Sequence, residues 1–420
     1  MAEWVSSLAV WVIAAGAIAG ILLRPKEWPE AVWTCLGAFL LVISGLLPWP
    51  KAVEAIAKGT DVYLFLAGMM LLAELGRRTG VFDWLAALAV RASKGSHARL
   101  FRLVYLVGIV VTVFLSNDAT AVVLTPAVYA AVKKARAEPL PYLLICAFVA
   151  NAASFVLPIS NPANLVVYRA SLPPLVTWLR LFFVPSVCSI AATYLVLQRL
   201  SRGAISGGAA PAWKSETLSP KGRVALWGIA GSATVMIGAS ALRADLGLPA
   251  CAAAIIAVLL ATGPRAPDLR AIGSGVSWSV LPLVAGLFVL VEGLNRAGAL
   301  MELRRLMEAC ASLPRAIADL TASFGVAVLS NLMNNLPSGL LVGSAVRSGY
   351  GAAQLRDAVL VGVDLGPNLS VTGSLATVLW LIALRREGEQ ISSRQFLKVG
   401  ALVMPPALIL ATLSLSLLRG

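Results

Sequence analysis

Two carboxylates stand where an apolar chain would not be expected to carry charge. Asp118 lies in "FLSNDATAVVLTP" (114–126), inside the long run "LVYLVGIVVTVFLSNDATAVVLTPAVYAAV", and Asp364 opens "DLGPNLSVTGS" (364–374). An ionisable side chain at membrane depth is costly, so by default it marks a functional site. Such an acid is suited to carrying a proton, and the same residue at a helix N-terminus can instead cap free amides. Both roles are open for Asp118, and for Asp364 at the entrance of its segment. Glu74 and Glu292 also sit near membrane depth, each four residues before an arginine, Arg78 and Arg296. That spacing fits an ion pair on a helix surface.

Around the two acids are four polar interruptions: "SND" (116–118), "ISNPAN" (159–164), "NNLPS" (334–338) and 364–374. Gly and Pro break helices and free backbone groups, while Asn, Ser and Thr add neutral donors and acceptors. Non-helical backbone at membrane depth is tolerated only where protein or a water-filled cavity surrounds it. The set Ser116, Asn117, Thr120, Asn161, Asn164, Asn334, Asn335, Ser338, Thr372, Gly373 and Ser374 suits a small, polar, hydrogen-bonding solute or a dehydrated cation. A large anion would want buried Arg or Lys. The plainer reading is that these residues hold kinked helices together.

The elements that must position these residues are membrane helices. Of 420 residues, 59% are hydrophobic and 13% charged. Runs such as 4–23 and 396–418 reach the roughly 20 apolar residues that cross a bilayer. No basic n-region or cleavage site precedes the first span, which reads as retained. The net charge of +14 lies in short clusters between spans, for example "KGSHARLFR" and "KKARAEP". That is loop bias, with no aromatic-interleaved basic domain to suggest nucleic acid. His97 falls in one such cluster and is expected to be exposed. Cys35, Cys146, Cys188, Cys251 and Cys310 are scattered singly, so neither a metal site nor a disulfide framework is expected. Neither HExxH nor GxSxG occurs, which argues against an enzyme, and no cofactor is expected.

The chain is duplicated. "LAGMMLLAELGRRTGVF" (66–82) resembles "VAGLFVLVEGLNRAGAL" (284–300), with Gly68, Glu74, Arg78 and Gly80 falling on Gly286, Glu292, Arg296 and Gly298 at an offset of 292 − 74 = 218. The same offset carries Asn117 to Asn335 and Thr120 to Ser338. Further on, "VANAASFVLPISNPANLVV" fits "VGVDLGPNLSVTGSLATVL" at an offset of 212. The expected organisation is a first repeat at 1–197, a cytoplasmic linker at 198–223 and a second repeat at 224–420. The linker reads as flexible, with a docking surface for a soluble partner as the sharper alternative.

Each repeat reads as two spans (4–23, 31–49; 224–242, 249–263), a third (62–76; 281–294) and an interfacial segment (81–92; 298–310). An interrupted run follows (100–132; 314–346), then a broken span (140–170; 354–384) and a last full span (177–197; 396–418). If the interrupted run is a re-entrant hairpin, each repeat makes five crossings and the second enters upside down. With the N-terminus outside, the cytoplasmic face collects Arg24, Lys26, Arg77, Arg78, Arg91, Lys94, Arg99, Arg102, Lys133, Lys134, Arg136 and the linker, while Arg296, Arg304, Arg305 and Arg315 fall outside. The fold class expected is an all-α integral membrane protein. It has two inverted repeats of about five transmembrane helices, with re-entrant hairpins and broken helices meeting at the midplane.

"FLSNDATAVVLTP", "SNLMNNLPSGLLVGSAV" and "DLGPNLSVTGSLATVLWL" resemble the motifs of the arsenical pump membrane protein family, the arsenite efflux permeases of the ion transporter superfamily. The resemblance runs over essentially the whole chain. It implies a multi-pass protein of the bacterial inner membrane that exports arsenite, and usually antimonite, in exchange for protons. In some systems the family docks a soluble arsenite-stimulated ATPase. One departure is Asn151, where an acid is frequent in the family. The substrate, As(OH)3 or Sb(OH)3, is a small neutral trihydroxide, which neutral amides and hydroxyls can hold weakly. Trivalent arsenic would suit thiolates, but the scattered cysteines offer no such cluster. On this reading Asp118 carries the proton, with Asp364 as second candidate. The alternative is a sodium-coupled ion or carboxylate transporter, or a sodium–proton antiporter, of the same superfamily.

Overall fold

A bilayer leaves backbone groups no partner but the chain itself, and the described residues meet that demand with helices alone. The computed structural model describes residues 2–23, 25, 28–206, 217–263, 266–347 and 351–419. The first half is built from α1 (Ala2–Leu23), α2 (Glu30–Ile43), α3 (Trp49–Ala57), α4 (Thr60–Arg78), α5 (Val81–Ala92), α6 (His97–Phe114), α7 (Thr125–Lys134), α8 (Leu140–Ala152), α9 (Pro162–Tyr168) and α10 (Leu175–Leu200). One further turn, α11 (Arg202–Ile205), leads into the polar stretch expected as a linker, of which residues 207–216 lie outside the described residues. The second half is α12 (Pro220–Ala241), α13 (Gly247–Thr262), α14 (Ala266–Gly275), α15 (Val280–Arg296), α16 (Ala299–Ala311), α17 (Arg315–Met333), α18 (Asn335–Arg347), α19 (Arg356–Leu365), α20 (Leu375–Arg386) and α21 (Ser393–Arg419).

Six of these helices are long and apolar enough to cross a membrane: α1, α6, α10, α12, α17 and α21. The pairs α3–α4 and α14–α15 pass the same test together, bent by 48° and 40°. The short helices α3 and α14 correct the sequence reading. The span expected over 31–49 ends at Ile43, and the chain turns at Pro48 into α3. His97 is also corrected. It is the first residue of α6, buried behind the Ser96 cap, and its carbonyl accepts from the Tyr142 hydroxyl.

The two halves follow the same order, and their packing is reciprocal. Helix α4 packs on α13, and α15 packs on α2. Small residues allow these approaches. A Cβ on Gly68 would meet the Ala250 backbone at 2.6 Å, and one on its counterpart Gly286 would meet the Thr34 backbone at 2.8 Å. The turns before α5 and α16 match too, since Gly80 and Gly298 take φ of +75° and +85°, a region that favours glycine.

Direction follows from two cavities. Lys58, just ahead of α4, lines one of them, and Glu74 and Arg77, near the end of α4, line the other. Val280, at the start of α15, shares the cavity of Glu74, and Glu292 and Asn295, near its end, share that of Lys58. The matched helices α4 and α15 therefore run in opposite directions, as inverted repeats require.

Candidate transport site

Each hairpin turns beside a broken span. Helix α6 stops at Phe114, and after the tip residues 119–124 wind as a π-helix into α7. Such widened turns are rare and gather at functional sites. In the second half the turn is a single residue, Asn334, between α17 and α18. Asn334 has φ +76° and ψ 152°, a strained region that is otherwise left almost entirely to glycine. The arms are clipped together in the same way in both halves. The Thr112 and Thr120 hydroxyls lie 2.8 Å apart, and Ser330 Oγ donates to Ser338 Oγ at 3.2 Å. Both pairs obey the offset of 218.

The broken spans are rebuilt by side chains. Pro162 starts α9, and Asn161 Oδ1 caps it by accepting from the Ala163 amide at 3.0 Å. Ser374 caps α20 by accepting from the Thr377 amide at 3.1 Å. Asn164 Nδ2 donates to the carbonyls of Ser154, Leu157 and Pro158, which the break has freed. Thr372 Oγ1 donates to the Asn331 carbonyl, and Gly373 packs on Pro367 and Asn331.

The breaks of the two halves also bond to each other. Asn161 Nδ2 donates to Asp364 Oδ1 at 2.8 Å, and Asn151 Nδ2 to Asn368 Oδ1 at 2.9 Å. Asp364 is fully buried, and its Oδ2 has no partner among the described residues. The expectation that it caps a half-helix finds no such geometry, because it sits in the last turn of α19.

The larger cavity measures about 650 Å³. Its mouth carries Arg77, Asp83, Arg386 and Glu387, and its floor carries Ser116 and Asp118 from the hairpin tip with Pro162 and Leu375 from the starts of α9 and α20. Of the residues singled out in the sequence, Ser116, Asp118 and Glu74 reach this cavity. Asn117, Asn161, Asn334 and Asn335 are buried, and Thr120, Asn164 and Ser338 have no exposed surface. Cap and carboxylate are separate residues at the tip. Ser116 Oγ accepts from the Ala119 amide at 3.1 Å and Asn117 Oδ1 from the Asp118 amide at 2.9 Å, and Asp118 makes no side-chain cap. The Asp118 carboxylate has no hydrogen bond or ion pair among the described residues.

Glu74 forms the expected contact with Arg78 at 2.6 Å and adds two bonds from Arg77, at 2.6 and 2.7 Å. Glu292 departs from expectation, pairing with Lys58 at 3.3 Å in place of Arg296. Asn331 was overlooked in the sequence. Its amide donates to the carbonyls of Ala327 and Gly366, and its Oδ1 accepts from Ser370. The signal was an asparagine within an otherwise apolar helix, four residues before Asn335. Among the described residues no group of three or more His, Cys, Asp or Glu could hold a metal ion, and all five cysteines are free.

Inverted repeats, paired hairpins and broken helices around a cavity define a membrane transporter. The chain belongs to the CitMHS family, described as citrate transporters, whose profile matches residues 9–361. It is 26% identical over 419 residues to the arsenical pump membrane protein of Escherichia coli (strain K12), covering 94% of this chain and 95% of that one. The arsenical pump membrane protein of Yersinia enterocolitica is 25% identical over 402 residues, covering 90% and 91%. Among solved structures, the Alcanivorax borkumensis YdaH transporter, described as having an unusual topology, superposes with a TM-score of 0.58 at 14% identity over 87% of each chain, a likeness of fold.

Proposed function

We propose that this protein is a secondary carrier that exports arsenite, and antimonite, from the cytoplasm in exchange for protons. The observation that carries the reading is the floor of the larger cavity. An acid without a counter-charge sits there beside neutral donors, in a chain whose relatives are arsenical pumps. As(OH)3 carries no charge, so the site needs hydrogen-bonding groups and no buried cation. Ser116, the backbone at the hairpin tip and the N-terminal end of α20 supply them. Asp118 takes a proton when the site faces outward and releases it to the cytoplasm, and Asp364 is the second candidate. The larger cavity opens on the face that carries Arg77, Lys133 and Arg386, which the positive-inside rule assigns to the cytoplasm. On this orientation the linker at 198–223 is cytoplasmic.

The family description favours one rival, a carrier of carboxylates such as citrate, for which Arg77 and Arg386 would be the binding cations. Everted vesicles separate the two. With an imposed proton gradient, arsenite uptake is expected and citrate uptake is not. Sodium-dependent citrate transport with no arsenite uptake would overturn the proposal.

A further inference from the structure

The smaller cavity, about 250 Å³, lies on the opposite face and is lined by Lys58, Arg169, Glu292, Asn295, Ser344 and Arg347 among others. Three cations face one carboxylate there. Glu292 is engaged by Lys58, which also pairs with Glu54 at 3.1 Å. Neither Arg169 nor Arg347 has a carboxylate within ion-pair distance among the described residues. Arg169 gives one long bond, 3.4 Å, to the Lys58 carbonyl and lays its guanidinium over the Phe288 ring at 5.1 Å. Arg347 donates to the Val167 carbonyl at 2.7 Å and to Ser344 Oγ at 2.8 Å. Among the described residues most N–H donors of both guanidinium groups are left over, on walls of the same cavity.

These charges are not inherited from the duplication. At an offset of 218 Lys58 falls on Val276 and Arg347 on Tyr129, and at 212 Arg169 falls on Leu381. The equivalent positions in the other half are neutral. The side chains also come from separate parts of the fold. Lys58 ends α3, Arg169 ends α9 and Arg347 ends α18. Helices α9 and α18 touch through their backbones, since a Cβ on Gly343 would meet Val167 Cα at 2.9 Å.

We propose that this cavity is a binding site for a tetrahedral oxyanion group of the phosphate or sulfate class, gripped jointly by Arg169 and Arg347 with Lys58 at its edge. Planar guanidinium donors match oxyanion geometry in pairs. A bound oxyanion would tie α9 and α18 to the head of α4 and hold this face shut. The site is independent of which solute the carrier moves.

The full chain, purified in neutral detergent, is unfolded thermally in phosphate, in sulfate and in chloride at matched ionic strength. Phosphate or sulfate is expected to raise the midpoint by roughly 2–4 °C, saturably. Arg169→Gln and Arg347→Gln should lose that rise, while Arg386→Gln in the other cavity keeps it. A rise that follows ionic strength alone, or that survives in the double variant, overturns the proposal. Should the glutamine variants misfold, retention of labelled phosphate by the wild-type chain, displaced by sulfate and not by chloride, decides in their place, and no retention together with no stabilisation by phosphatidylglycerol overturns it. A further arm adds phosphatidylglycerol in chloride. Stabilisation by the lipid alone identifies a headgroup phosphate as the ligand, and stabilisation by inorganic phosphate identifies the free anion.

Discussion

The two hairpins are built to one plan and end in different chemistry. Both arms are clipped by a hydroxyl pair at matched positions, yet one tip reads Ser116-Asn117-Asp118 and the other Asn334-Asn335-Leu336. The first tip opens through a π-helical turn onto a cavity of about 650 Å³. The second turns in one residue, and the cavity on its face measures about 250 Å³. Duplication thus supplies the scaffold, and the acid was placed in one copy alone. Matched arms make the two hairpins alike in build, and an acid stands at one tip alone.

The comparison breaks most sharply at Asp118. Asp118→Asn keeps the shape of the tip and removes the proposed proton carrier, so gradient-driven arsenite uptake into everted vesicles is expected to fall roughly tenfold or more. Uptake at the wild-type rate would leave the two tips chemically equivalent and shift the proton to Asp364. Next comes the bond between the halves. Asn161→Leu strips Asp364 of its donor and uncaps α9, at a cost on the order of 1–3 kcal/mol, visible as a lower melting midpoint in detergent. An unchanged midpoint would mean that the cross-repeat bond contributes nothing.

The clips themselves sharpen the symmetry. Thr112→Val and Ser330→Ala should each cost about 0.5–1.5 kcal/mol, and by similar amounts. A large loss from one with none from the other would show that the hairpins are not mechanically equivalent. The smallest effect expected is from replacing all five cysteines by Ala or Ser, since none is paired and none lines the larger cavity. Transport should stay near wild type, and its loss in a folded cysteine-free chain would bring back thiolate capture.

Much of this was legible because duplication writes itself into spacing. The offset of 218 located Gly80 and Gly298, both hairpins, and the equivalence of Thr120 and Ser338. Gly and Pro announced the breaks, since their backbone effects are local. What could not be read were partners brought by tertiary packing. Glu292 takes Lys58, 234 residues away, over the arginine four residues along its own helix. Helices α3 and α14 were missed because they are short and continue into the following span through a bend. The split between Ser116 as cap and Asp118 as free acid is set by the path of a few tip residues, which composition does not encode.

The exchange of partners between the halves also has a consequence in time. Helix α4 finishes at Arg78, and the helix it packs on, α13, begins at Gly247, 247 − 78 = 169 residues later. At about 5–20 residues per second of synthesis, the wait is roughly 10–30 s. During that interval the notch at Gly68 faces lipid or the insertion machinery in place of the Ala250 backbone. Neither half can complete its own packing, so assembly must wait for the second set of helices. The first half made alone is therefore expected to be captured by membrane proteases, and to be rescued when the second half is made beside it.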